Sequence, residues 1–96
     1  MVTEHALLSV TPGSEAAFEA ALELALPIIR SAPGCRSASV SRGIESPSTY
    51  LLLVEWESVE AHTTGFRSSA AFQDWRGLLH HFYARPSDVE HFAPLA

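Results

Sequence analysis

Cys35 is the only cysteine of the chain. No intrachain disulfide is available, which fits a reducing compartment, and a single small half-buried thiol is the ordinary reading of such a residue. Basic residues are scarce as well: 6 Lys and Arg stand against 11 Asp and Glu, for a formal charge of −5. They form no cluster, which argues against a nucleic-acid or anionic-membrane partner. No apolar run approaches the ~20 residues that a membrane span requires. The opening Met1-Val2-Thr3-Glu4-His5 lacks both a basic region and an apolar core, so no signal peptide is read there and a cytoplasmic location is expected.

Motifs of cofactor chemistry are missing too. There is no G-x-G-x-x-G, P-loop or G-x-S-x-G, hence no nucleotide, flavin or nicotinamide site of the usual kind. No C-x-x-C, H-x-E or i, i+4 histidine pair occurs. His80 and His81 are adjacent, and on a helix they point about 100° apart, too divergent to share one ion. No metal and no other cofactor is expected.

What the chain does have is apolar content: 47% of its 96 residues are hydrophobic, typical of a globular protein. One domain spanning residues 1–96 is expected. A chain this short buries only about 60–65% of its unfolded surface, so a second subunit would help it.

Along the sequence, Val2 to Val10 alternates loosely and reads as a strand. Thr11-Pro12-Gly13-Ser14 stops it, and a helix follows from Glu15 to Ser31, with Phe18, Leu22, Ala25 and Ile29 on one stripe. Pro27 lacks a backbone donor and predicts a kink or an early end. After Ala32-Pro33-Gly34, the spacing predicts a strand from Cys35 to Glu45, a turn at Ser46-Pro47-Ser48, and a strongly apolar strand from Tyr50 to Glu57. Ser58 caps a short helix, Val59 to Thr64, which Gly65 ends or bends. Ser69 caps a longer one, Ala70 to Phe82, and Asp88 to Phe92 is a last strand. The order β-α-β-β-(α)-α-β is that of an α+β, ferredoxin-like split βαβ: a four-stranded antiparallel sheet with helices on one face.

In the strand Tyr50 to Trp56, residues Tyr50, Leu52, Val54 and Trp56 point one way, and Leu51 and Leu53 the other. Two helices cover one face only. The second apolar face predicts a homodimer.

Several residues are candidates for chemistry. His62 shares the stripe of Val59, Thr63 and Phe66 on the short helix, so it faces inward. It reads either as an acid, base or anchor in a cavity or as a structural histidine bonded to main chain. Phe72, Trp75, Leu79 and Phe82 form an aromatic stripe that is core by default, with Trp75 a candidate for lining an aromatic pocket. Arg67 and Arg76 suit a phenolate or carboxylate, or equally a surface acid. Tyr50 and Tyr83 are further possible donors.

Three stretches together carry a resemblance: Glu55-Trp56-Glu57-Ser58-Val59-Glu60-Ala61-His62, then Gly65-Phe66-Arg67-x-Ser69-x-x-Phe72-x-x-Trp75-Arg76, and the ending Val89-Glu90-His91-Phe92. They resemble the antibiotic biosynthesis monooxygenase family, as do the leading strand, Pro12-Gly13-x-Glu15-x-x-Phe18 and Pro33-Gly34-Cys35. The resemblance implies a dimeric α+β barrel with a pocket between sheet and helices in each ferredoxin-like monomer. Quinone-forming members oxidise activated phenolic polyketides with O₂, without metal or flavin; the substrate carbanion supplies the electrons.

The haem-degrading members carry an asparagine on the first strand, a tryptophan on the short helix and a histidine on the long helix. Here the first strand has no Asn, Gly65 and Phe66 fall where the tryptophan would stand, and Arg76 stands near the histidine position.

The resemblance thus implies a small cofactor-independent monooxygenase-like enzyme acting on an aromatic or polyketide-type substrate. His62 would anchor or deprotonate that substrate, Arg67 would stabilise an enolate or phenolate, and Trp75, Phe66 and Phe72 would line the pocket. The alternative is a non-catalytic, small-molecule-binding or stress-response barrel that sequesters a hydrophobic or aromatic molecule.

Overall fold

A computed structural model covers residues 1–96. Its strands are β1 (Val2–Ser9), β2 (Cys35–Arg42), β3 (Thr49–Trp56) and β4 (Asp88–Phe92), and its two main helices are α1 (Glu15–Arg30) and α2 (Ala70–Leu79). The sheet is antiparallel throughout, in the order β2-β3-β1-β4. This is the expected ferredoxin-like arrangement. No helix is long and apolar enough to cross a membrane.

Helix α1 buries the stripe Phe18, Leu22, Ala25 and Ile29 against the sheet. Phe18 is fully enclosed and packs on Tyr50, ring centroids 4.8 Å apart. Truncating such a ring to Ala costs about 3–5 kcal/mol. The early end expected at Pro27 does not occur, and the helix runs on to Arg30. Pro27 sits in the last turn, so little of the helix depends on its missing donor. Its carbonyl accepts from both the backbone N–H (3.1 Å) and the hydroxyl (2.8 Å) of Ser31.

Strand β2 stops at Arg42, short of the expected Glu45. The Gly43 N–H donates to the Thr49 carbonyl (2.8 Å) and Thr49 N–H to Ser46 (2.9 Å), so the connection closes early. Strand β3 alternates as expected, with Tyr50, Leu52, Val54 and Trp56 buried. On the opposite face Leu53 is 36% and Phe92 50% exposed.

The short helix between β3 and α2 departs from expectation. Ser58 does cap it, accepting from the Ala61 N–H at 3.1 Å. The chain then widens into a π-helical turn, Ala61–Phe66, which the Arg67 N–H closes by donating to the His62 carbonyl at 3.0 Å. Gly65 lies inside this turn instead of ending it. The wider turn keeps His62 and Phe66 inward but leaves Val59, expected on the same stripe, 37% exposed.

Gly34 holds the turn in place. Its φ is +84°, and a Cβ there would stand 2.7 Å from the Ala61 Cβ, so the backbone of the α1–β2 connection touches the turn directly.

Ser69 caps α2, accepting from the Phe72 N–H at 3.2 Å. Instead of one helix to Phe82, α2 ends at Leu79 and a tighter 3₁₀ turn, His80–Phe82, follows. Val10 then bridges to Tyr83, tying the exit of β1 to the chain after α2.

Candidate active site

The inner face of β1 carries Glu4 among Ala6 and Leu8. A strand whose inward positions are otherwise apolar therefore places a carboxylate in the core. In the antiparallel register Glu4 stands opposite Val54 on one side and His91 on the other. The π-helical turn lowers His62 onto the same spot. Glu4 and His62 are each only 4% exposed.

Both protein contacts of the Glu4 carboxylate fall on Oε1. The Trp56 indole N–H donates to it at 2.9 Å, and His62 Nε2 lies 3.3 Å away. On the other side of the imidazole, His62 Nδ1 is 2.8 Å from His91 Nε2. The His62 ring also stacks on Trp56, centroids 5.1 Å apart and planes 13° from parallel. Glu4 and His91 thus occupy opposite nitrogens of one imidazole, so the three cannot converge on a single metal ion.

The electrostatics favour a neutral imidazole. Burial, then the charges of Arg67 and His91, push His62 down to about 4. Burial raises the Glu4 carboxyl above its ordinary value, against the Trp56 hydrogen bond and the Arg67 charge. The Glu4–His62 contact is accordingly a hydrogen bond to neutral histidine and not an ion pair near pH 7. If Glu4 is ionised, His62 Nε2–H donates to it and Nδ1 accepts from His91. If Glu4 is protonated, it donates to Nε2, and Nδ1–H donates to His91.

Glu4 and His62 lie on the wall of a cavity of about 480 Å³ between the sheet and the helices, with Trp56 and His91 behind them. Ala6, Leu8 and Leu52 supply its sheet side, and Phe66, Phe72 and Trp75 its helix side. Arg67, Arg76 and Arg85 also line it. Tyr83 adds a phenol that burial, and then the Glu4 charge, push up to about 12. Its hydroxyl stays protonated and can donate a hydrogen bond. The size and the mostly apolar lining suit a small organic molecule.

The five residues given a role from the sequence, His62, Arg67, Phe66, Phe72 and Trp75, line this one cavity, as do the further candidates Arg76 and Tyr83. The His62 ring is enclosed, as a structural histidine would be, yet its ring nitrogens meet side chains and not main chain. Tyr50 lies elsewhere, its hydroxyl donating to Glu19 at 2.6 Å. Sequence reasoning missed Glu4, Trp56 as its donor, His91 and Arg85. Glu4 left a readable trace, a charge at an inward position of an alternating strand. His91 left a similar one on β4.

The sequence profile of the antibiotic biosynthesis monooxygenase family matches residues 1–92. The chain belongs to this family. It is 48% identical over 92 residues to the uncharacterized protein YczJ of Bacillus subtilis (strain 168), covering 96% of this chain and 97% of that protein. A Bordetella bronchiseptica protein of the antibiotic biosynthesis monooxygenase type superimposes with a TM-score of 0.94 at 41% identity, over 99% of this chain and 97% of that one. SnoaB, a cofactor-independent oxygenase from Streptomyces nogalater, superimposes at 0.82 with 18% identity, over 99% of this chain and 93% of its own. At that identity SnoaB speaks for a shared fold alone.

Proposed function

We propose that this antibiotic biosynthesis monooxygenase family member oxygenates a small aromatic or polyketide-type substrate with O₂, using no cofactor, and that Glu4 is its base. The observation that carries this reading is the buried Glu4–His62 pair on the wall of an apolar cavity. A carboxylate whose affinity for protons is raised by burial is suited to taking a proton from a weakly acidic O–H or C–H. His62 presents no free nitrogen to the cavity, since both face protein partners. It therefore orients Glu4 and anchors its oxygen, while Glu4 Oε2 faces the substrate.

The chemistry balances without a further oxidant. Glu4 removes a proton, leaving a phenolate or enolate that Arg67 and the Tyr83 hydroxyl stabilise. One electron passes from this carbanion to O₂, the radical pair joins to a peroxide anion through a new C–O bond, and Glu4 returns its proton to give the hydroperoxide. Loss of water leaves a new carbonyl, so a phenol and O₂ give a quinone and one water. Trp75, Phe66 and Phe72 hold the ring plane. His62, braced on its far side by half-buried His91, keeps Glu4 in place while the carboxyl carries the proton from substrate to peroxide.

A second reading has its own support. The stacked, fully partnered His62 is also what a purely structural residue looks like, which favours a non-catalytic binding barrel. Two measurements separate the readings. Anaerobic exchange of solvent deuterium into an enolisable aromatic ketone reports proton abstraction, and an oxygen electrode reports the second step. Protein-dependent exchange and O₂ uptake, both lost in Glu4→Gln, support the enzyme. Binding of the ketone with neither leaves the barrel as a carrier.

We further propose that the exposed outer sheet face, with Leu7, Leu53 and Phe92, is covered by a second copy of the chain.

A further inference from the structure

The chain has six cationic side chains besides its histidines, and all six are arginines. Three are accounted for by the protein itself. Arg30 donates twice to the Ala38 carbonyl, at 3.1 and 2.8 Å. Arg36 pairs with Glu57 at 3.3 Å and Arg42 with Glu19 at 3.2 Å. The other three, Arg67, Arg76 and Arg85, all line the one large cavity. None of them has a carboxylate within ion-pair distance; Arg85 donates to the Ser9 hydroxyl at 3.0 Å, and Arg76 lies 3.4 Å from His80 Nε2.

They reach the cavity from three places: the residue after the π-helical turn, helix α2, and the loop before β4. In a chain with 11 acids and a net charge of −5, that convergence runs against the average charge. The only acid on the cavity wall is Glu4, which is buried, whereas Arg76 and Arg85 are exposed. The cavity therefore has a polarity along its length: proton-transfer groups inside, apolar and aromatic walls between, and guanidinium groups at the mouth.

We propose that the ligand is an anionic amphiphile, an apolar or aromatic body that ends in a carboxylate or phosphate bound by Arg76 and Arg85. The planar guanidinium fork suits both anions, and two of them at an open mouth also raise the encounter rate. With its anion held there, the opposite end of the body lies toward Glu4 and His62. The inference deepens the proposed function by naming the substrate class. It rests on this cavity being the ligand site, but not on any oxygenation.

The test is calorimetric titration of 2-naphthoate, 2-naphthyl phosphate and the neutral methyl 2-naphthoate, with octanoate and 1-octanol as an aliphatic pair. The charged probe is expected to bind at least tenfold more tightly than its neutral counterpart, and raised salt should shrink the gap. Arg76→Gln/Arg85→Gln should bring the affinity of each charged probe down to that of its neutral counterpart, and Arg76→Lys/Arg85→Lys should keep most of the preference. Stronger binding of naphthyl phosphate would identify a phosphate ester, and stronger binding of naphthoate a carboxylic acid. If only the aliphatic pair binds, the aromatic substrate of the proposed function fails while the anion preference is still read. Equal affinities within both series, a preference that survives the double Gln variant, or no binding by any probe overturns the proposal.

Discussion

His62 lies flat against Trp56, rings 5.1 Å apart, while the indole N–H of that same Trp56 holds Glu4 Oε1 at 2.9 Å. One tryptophan therefore fixes the imidazole by its face and the carboxylate by its edge. Removing the imidazole strips a stacking partner and leaves two polar neighbours without it. His62→Ala should destabilise the fold by about 1–3 kcal/mol, measured by urea unfolding. It should also release Glu4 from its orientation, so turnover should fall further than the stability loss explains.

Glu4→Gln should behave in the opposite way. The amide oxygen can still accept from Trp56, and the variant no longer holds an ionisable carboxyl in the core. Because burial raises the Glu4 pKa, its ionisation opposes folding increasingly as pH rises above the ordinary value of 4.5. The variant should match or exceed the parent melting temperature near pH 8 while losing proton abstraction. A clear drop in melting temperature together with retained exchange would remove Glu4 as the base.

The pH dependence of stability should carry the mark of His62. Its pKa falls from the ordinary 6.5 to about 4 in the folded chain. Between those values the unfolded chain takes up a proton that the folded chain refuses, so stability declines as pH falls through this window. The full effect is about 3 kcal/mol. Urea titrations at pH 7 and pH 4.5 should show it, and His62→Gln should flatten the difference.

Gly34→Ala should injure the site from a distance. A Cβ would meet Ala61 at 2.7 Å on a backbone whose φ is +84°, so both space and conformation resist it. We expect a loss of 1 kcal/mol or more, on the order of other strained-backbone substitutions, with weakened probe binding because the turn bearing His62 must move. Ala at Gly13, where the added Cβ meets nothing within 4 Å, is a control that carries the conformational strain without the clash.

Leu53→Asp should test the outer face. Leu53 stands opposite His5 on β1, beside the packed His5–Phe92 rings. If a second copy covers this face, an unpaired charge there should halve the mass seen by sedimentation at micromolar concentration, or unfold the chain, at a cost of several kcal/mol. An unaltered monomer before and after the change would contradict the dimer.

The architecture was legible because apolar periodicity is a strong signal where a stripe is long. The Phe18–Ile29 stripe and the alternation of Tyr50 to Trp56 both describe what is buried. The π-helical turn was not legible, since six residues hold too little periodicity to separate one helical pitch from another, and Val59 was misplaced in consequence. The carboxylate was overlooked for a different reason. A lone Glu in a short strand ordinarily faces water, and its burial depends on Trp56, 52 positions away. Residues such as Arg85 and Tyr83 line the cavity only because β1 is tied to the chain after α2.

The first and last strands of the sheet, β1 and β4, supply Glu4 and His91, and every residue between them must be synthesised before the two can meet. The row of contacts from Glu4 through His62 to His91 is thus completed only when β4 docks. That strand is five residues long and sits at the edge of the sheet beyond β1, where opening is easiest. Unzipping it would cut His62 off from His91 while leaving the α1–β3 core intact, so activity should disappear under mild denaturant well before the fold does.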